Sequence, residues 1–275
     1  FFRLIVRIIR IMSRNIITPK EAVSICRKIR NSCDRDFITK GFRFLLSQLP
    51  MGFHDVTEAT LWRARKTDEA HPEGFDYIKD VICPPAQSAK TGRLNNEGMP
   101  VLYASISNHG CLAEIGAVPG DKVQVSAFDL KPEQKLHCGF VGDIVKAHKW
   151  NSEDFTLVQK TLEPFTEEQK TSIFLIDSFI AEILADNYAN INEYLHTTTL
   201  ADVIRNGKNK LDAIVYPGVE SVGAKNYAIH ADSLIKFNIP DIYLLEIKNK
   251  YPYGFYEWTV LRQRDHYDGD MIIWK

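Results

Sequence analysis

The helix and strand signals predict a chain that mixes helices with strands, with a helical N-terminal region over residues 1–50 and one larger domain over residues 51–275. Capping boxes at Thr18-Pro19-Lys20-Glu21 and Thr166-Glu167-Glu168-Gln169 each launch a run of apolar residues at helical spacing. Short apolar or alternating runs at 60–65, 101–105, 122–130 and 211–217, bounded by glycine, proline and polar turns, read as strands. Two further β-type runs flank Tyr251-Pro252-Tyr253-Gly254 near the end of the chain, as in a hairpin.

The chain starts at Phe1 rather than methionine, as expected of a fragment or a processed chain. Arg3, Arg7, Arg10 and Arg14 recur at helical spacing, with Phe2, Leu4, Ile5, Ile8, Ile9 and Ile11 on the other face. Such a basic amphipathic helix packs on its own domain, docks a partner or a membrane surface, or is the remnant of a signal peptide. Arginine interrupts it too often for a transmembrane span. The first capping box starts a second helix through Ala22, Val23, Cys26 and Ile29. A third, with Phe37, Phe42, Phe44, Leu45 and Leu46, stops near Pro50, and Gly52 to Thr57 reads as a linker.

Thr60 to Arg65 alternates as a half-buried strand, Trp62 and Ala64 on one face, Arg63 and Arg65 on the other. A polar loop from Lys66 to Asp80 leads to the rigid Cys83-Pro84-Pro85. Gly92 and Gly98 then bracket an Asn-Asn-Glu turn, Val101 to Ser105 is a strand, and Leu112 to Val118 opens a helix. After Pro119-Gly120-Asp121, the strand Lys122 to Leu130 sets Val123, Val125 and Ala127 on one face. Ser152 caps a short helix carrying Phe155, Leu157, Val158 and Leu162, ended by Pro164. The helix after Thr166 has Ile173, Phe174, Ile176, Phe179, Ile180, Ile183 and Leu184, and is expected to carry almost no polar group on its inner face. Thr199 to Arg205 is a short helix ended by Gly207. Leu211 to Pro217 is a buried strand, and its following loop, Gly218 to Asn226, is a natural place for a ligand.

Composition removes several classes. Lys+Arg 34 against Asp+Glu 35 gives a net charge of -1, so no global field favours nucleic acid or an acidic membrane. Cys26, Cys33, Cys83, Cys111 and Cys138 are odd in number with no CxxC pair, against a disulfide framework or a structural zinc site and in keeping with a reducing, cytoplasmic setting. P-loop, GxGxxG, HExxH and GxSxG motifs are all missing, the histidines are scattered, and no metal is expected.

Arg93, Tyr103 and Glu114 are placed to converge, and a glutamate beside an arginine and a tyrosine suits an anionic, sugar-containing ligand. The plainer alternative is a buried ion pair that fixes a turn. Thr60 to Arg65, Gly92-Arg93-Leu94-Asn95 with Gly98, Val101-Leu102-Tyr103, Ala113-Glu114 and Asp212 to Pro217 with Asn226 closely resemble the RES-domain family over roughly residues 60–230. These are bacterial toxins named for an arginine, a glutamate and a serine. The resemblance implies an α+β fold, a mixed sheet with flanking helices similar to ADP-ribosyltransferases, and a pocket for NAD. It also implies destruction of NAD by hydrolysis or phosphorolysis, or in some members ADP-ribose transfer to a protein, and an antitoxin that covers the pocket.

On that resemblance Arg93 matches the family arginine, Glu114 the family glutamate, Tyr103 the aromatic between them and Arg63 the upstream arginine. Asn95, Gly218, Ser221 and Asn226 fall among the residues expected to bind NAD. Where the family usually has serine after the strand proline, this chain has Gly218, with Ser221 three residues on. Glycine leaves room for water or a backbone N–H. Cleaving the nicotinamide–ribose bond passes through an oxocarbenium-like state, which the Glu114 carboxylate would stabilise. Arg93 and Arg63 would hold the pyrophosphate, and Tyr103 would stack on a ring. The rival expectation is a catalytically weakened module that binds a nucleotide or a partner protein.

Overall fold

The computed structural model describes residues 16–50, 53–150, 155–186, 188–207, 210–218, 220 and 224–275. The arginine-striped segment 1–14, Ser152 and Ser221 lie outside the described residues. Two helices come first, α1 (Pro19–Arg30) and α2 (Arg35–Gln48), followed by β1 (Phe53–Val56) and β2 (Thr60–Lys66). Next are a short α3 (Ile78–Val81), β3 (Val101–Ser105), α4 (Asn108–Glu114), β4 (Lys122–Leu130) and β5 (Leu136–Phe140). A helical stretch comprises α5 (Asp143–Trp150), α6 (Phe155–Leu162), α7 (Glu167–Ala185) and α8 (Leu195–Arg205). Six strands close the chain: β6 (Ala213–Pro217), β7 (Lys225–His230), β8 (Phe237–Asn238), β9 (Ile242–Lys250), β10 (Tyr256–Asp268) and β11 (Met271–Trp274). The protein is α+β.

Two compact units emerge, residues 1–53 with 139–210 and residues 54–138 with 211–275. The helices of the N-terminal region thus share a unit with α5 to α8. Both capping boxes form: Thr18 Oγ1 accepts Glu21 N–H at 3.3 Å while Glu21 Oε2 accepts Thr18 N–H at 2.8 Å, and Thr166 and Gln169 repeat the exchange. In this unit α1 packs against α7 and α2 against α8, around fully buried Ile29, Phe42, Leu45, Ile173 and Ile176. Helix α5 was not anticipated, and α8 starts at Leu195 rather than Thr199.

The inner face of α7 departs from the apolar expectation at Asp177, which is 4% exposed. Its Oδ2 accepts Val145 N–H at 2.8 Å, so the carboxylate serves the unpaired first turn of α5. Burial pushes its pKa up to about 6; the Val145 N–H opposes the rise and nearby Asp143 adds to it.

The second unit holds the sheet, with strand order β1-β5-β6-β7-β3-β2-β4-β9-β10-β11 and β8 on β4. The expected linker contributes β1, because Phe53 to Val56 pairs beside β5. Strand β4, read as one-sided, is buried on both faces. On one side Val123 and Val125 join a core with Ala64, Leu112 and Ala113. Gln124 instead pairs with the backbone of Phe75, accepting its N–H at 2.6 Å and donating to its oxygen at 3.1 Å. The C-terminal hairpin forms as β9 and β10, antiparallel, and β11 extends it.

The helix expected from Leu112 to Val118 runs instead from Asn108 to Glu114. Ser107 caps it by accepting Gly110 N–H at 3.0 Å. At the other end Gly116 has φ +58°, and Ala117 N–H reaches Leu112 O at 3.1 Å in a Schellman closure. Glu114 is therefore the last residue of α4, not an early one.

Candidate functional site

Four strands bring one row of side chains together. Trp62 of β2 registers with Ser105 of β3, Ser105 with Asn226 of β7, and Asn226 with Tyr216 of β6. Directly opposed residues share a face, and Tyr103, two residues from Ser105, shares it too. The Tyr216 phenol is 4% exposed. Burial raises its pKa well above the ordinary value; Tyr103 and Glu114 add to the rise, while Arg93 and the Asn226 amide oppose it. Arg93, Tyr103, Glu114 and Asn226 thus all lie within electrostatic reach of one buried hydroxyl, to which sequence reasoning gave no role. The signal that pointed to it was the motif Asp212 to Pro217, whose tyrosine precedes the strand proline.

Arg93 sits half-buried in a turn that is braced throughout. Gly92 N–H donates to Asn95 O at 2.9 Å, and Asn95 Nδ2 donates to Lys90 O at 2.8 Å and Asn96 O at 3.0 Å. The Tyr103 hydroxyl donates to Asn95 Oδ1 and accepts Leu94 N–H, both at 2.8 Å. A Cβ on Gly92 would stand 2.6 Å from Asn95 Oδ1, so this turn requires glycine there. Asn95 consequently engages both ends of its amide within the turn that carries Arg93.

Glu114 is fixed by how α4 meets the sheet. A Cβ on Gly110 would lie 2.3 Å from Ser105 Oγ, so only glycine lets the helix lie this close to β3. The Glu114 carboxylate then accepts Glu220 N–H at 3.3 Å. Gly218 N–H donates to Ala224 O at 2.8 Å, closing the neck of the loop that follows β6. Gly218 and Asn226 belong to this loop and its flank, as expected from the sequence.

Arg63 stands beside the single registered pair that joins β2 to β3, and its Nη1 donates to Tyr103 O at 3.5 Å. Its Nε is buried with no hydrogen-bond partner among the described residues. Burial lowers its pKa to about 10, Cys83 opposes this, and Arg65 reinforces it. Arg65 itself is occupied: it donates to Asp80 O and lies 3.8 Å over the Phe75 ring. Asp212, which opens the β6 motif, is structural. It accepts His137 N–H at 2.7 Å, Ser233 Oγ at 2.6 Å and Lys236 Nζ at 2.6 Å.

Burial raises the pKa of Cys111 and Cys83, disfavouring thiolate. His109 uses Nδ1 to accept Tyr256 N–H at 3.1 Å and packs against Phe255 and Trp258. No cluster of three or more metal-ligating side chains occurs among the described residues, and no described helix is long and apolar enough to cross a membrane. A cleft of about 590 Å³ in the first unit, lined by His148, Lys160, Lys170 and Phe174, includes none of the residues above.

No curated protein and no solved structure matches the chain. The family model described as RES domain matches residues 60–245, a span that holds Arg63, Arg93, Glu114 and Asn226 and more than half of the sequence, and the chain therefore belongs to the RES-domain family.

Proposed function

We propose that the protein consumes NAD by cleaving its nicotinamide–ribose bond, by hydrolysis or phosphorolysis, and acts as a toxin held in check by an antitoxin in the cytoplasm. The RES family is associated with NAD-acting enzymes and toxin-like roles. The observation that carries the reading is the gathering of Glu114, Arg93 and Tyr103 around Tyr216 and Asn226.

In the proposed reaction the C–N bond to the ribose breaks, its electron pair leaves on the nicotinamide nitrogen, and positive charge spreads over the ribose carbon and ring oxygen. Glu114 stabilises that charge electrostatically. Arg93, held in its braced turn, pairs with the pyrophosphate, for which a guanidinium fork is suited. The Tyr103 ring offers a stacking face, since its hydroxyl is already bound to the turn. Water or phosphate completes the reaction at the ribose carbon and gives up a proton. Ser221, three residues past Gly218, is the remaining candidate for the family hydroxyl.

A second reading rests on Gly218. With no side-chain hydroxyl at that position, the protein would hold the dinucleotide or a partner and cleave little. Incubating the chain with NAD labelled in the adenosine half, with and without phosphate, separates these outcomes. Free ADP-ribose indicates hydrolysis, its 1-phosphate phosphorolysis, and label kept on protein indicates ADP-ribosyl transfer. Intact NAD in every arm refutes cleavage.

A further inference from the structure

Asn226 is 3% exposed, and neither its Oδ1 nor its Nδ2 has a hydrogen-bond partner among the described residues. A primary amide buried with both ends unused is uncommon, because it has given up water without replacement. The flanking hydroxyls do not absorb it. Ser105 Oγ donates to Lys225 O at 3.5 Å. Tyr216 Oη is near enough for the amide to favour phenolate, yet makes no hydrogen bond of normal geometry with it. Asn95 offers the contrast within the same unit, with both of its amide ends engaged.

We propose that the Asn226 amide recognises the carboxamide of the nicotinamide ring, donating through Nδ2 to its oxygen and accepting its N–H at Oδ1. The inference rests on the NAD reading and adds to it a choice between chemical forms of the dinucleotide. Two primary amides are self-complementary, each with one donor edge and one acceptor edge. A nicotinate carboxylate would instead set acceptor against acceptor at Oδ1 and bring a second negative charge beside Glu114. An adenine edge would also satisfy an asparagine amide. The nicotinamide end fits better, because Asn226 and Glu114 both act on the Tyr216 hydroxyl and Glu114 belongs at the ribose carbon that bears nicotinamide.

The test uses the full chain and three dinucleotides: NAD, its nicotinate form, and its hypoxanthine form, in which the adenine amino group is replaced by oxygen. Affinity is read by calorimetry and turnover by initial rates, for wild type, Asn226→Ala and Asn226→Ser. Wild type is expected to prefer NAD to the nicotinate form by at least roughly tenfold, and the variants to lose most of that preference while binding ADP-ribose as before. Equal treatment of the amide and carboxylate forms by wild type overturns the proposal, even if neither variant folds. A folded variant with an unchanged ratio also overturns it, as does a change confined to the hypoxanthine arm, which would assign Asn226 to adenine. Bound but uncleaved NAD refutes the cleavage reading alone, since the preference is still read from affinity. Failure to bind NAD at all refutes both.

Discussion

Tyr103 and Asn95 are bonded to each other at 2.8 Å, Oη to Oδ1, and the same phenol takes Leu94 N–H at 2.8 Å, so a strand residue fixes the turn that carries Arg93. Tyr103→Phe keeps the ring and deletes the brace. It leaves Leu94 N–H and Asn95 Oδ1 without these bonds, at an expected cost of roughly 1–3 kcal/mol by urea denaturation. Because Arg93 would be less well held, KM for NAD is expected to rise more than kcat falls. An unchanged stability would show that the turn does not depend on the hydroxyl.

Glu114→Gln keeps the shape and retains an oxygen for Glu220 N–H, but removes the charge. Loss of a directly acting carboxylate is expected to cost roughly 2–4 kcal/mol of transition-state stabilisation, seen in kcat with the melting temperature unchanged. A melting temperature that falls along with activity would place Glu114 among the residues that only hold the loop.

Asp177 sets a pH dependence in the first unit. Its folded pKa is raised by burial to about 6, so protonation favours the folded state, and the stability it contributes is lost as pH climbs through that value. Asp177→Asn keeps an acceptor for Val145 N–H without the charge. The stability difference, variant minus wild type, is expected to grow by roughly 2.5 kcal/mol from pH 4 to pH 7.5, in favour of the variant. A flat difference across that window would show that the carboxyl titrates normally.

The parts legible in the sequence are those encoded locally. Thr18 with Glu21 and Thr166 with Gln169 are three residues apart, and their capping boxes form as read. The start of α4 was misplaced because the apolar run from Leu112 outweighed the polar cap at Ser107. Asp177 was invisible for another reason: its partner is the start of α5, over thirty residues away. The meeting of Ser105, Tyr216 and Asn226 is set by strand register, which a single sequence does not display. Family resemblance supplied Arg93 and Glu114, but only the folded turn showed that Asn95 is spent on holding it.

Gly218 permits a gain-of-function test. Gly218→Ser restores the hydroxyl usual at this position of the family, and nicotinamide release is expected to rise by about tenfold, the worth of one well-placed hydrogen bond. No change would mean that water, a backbone N–H or Ser221 already fills that role.

The central claim is that Glu114 acts in cleaving NAD. The most direct measurement is nicotinamide released from NAD by the purified chain beside Glu114→Ala at equal concentration, with folding of both verified by circular dichroism. Time-dependent release by wild type, reduced at least about thirtyfold in the variant, is the expected result. Wild-type release no greater than that of Glu114→Ala would contradict it.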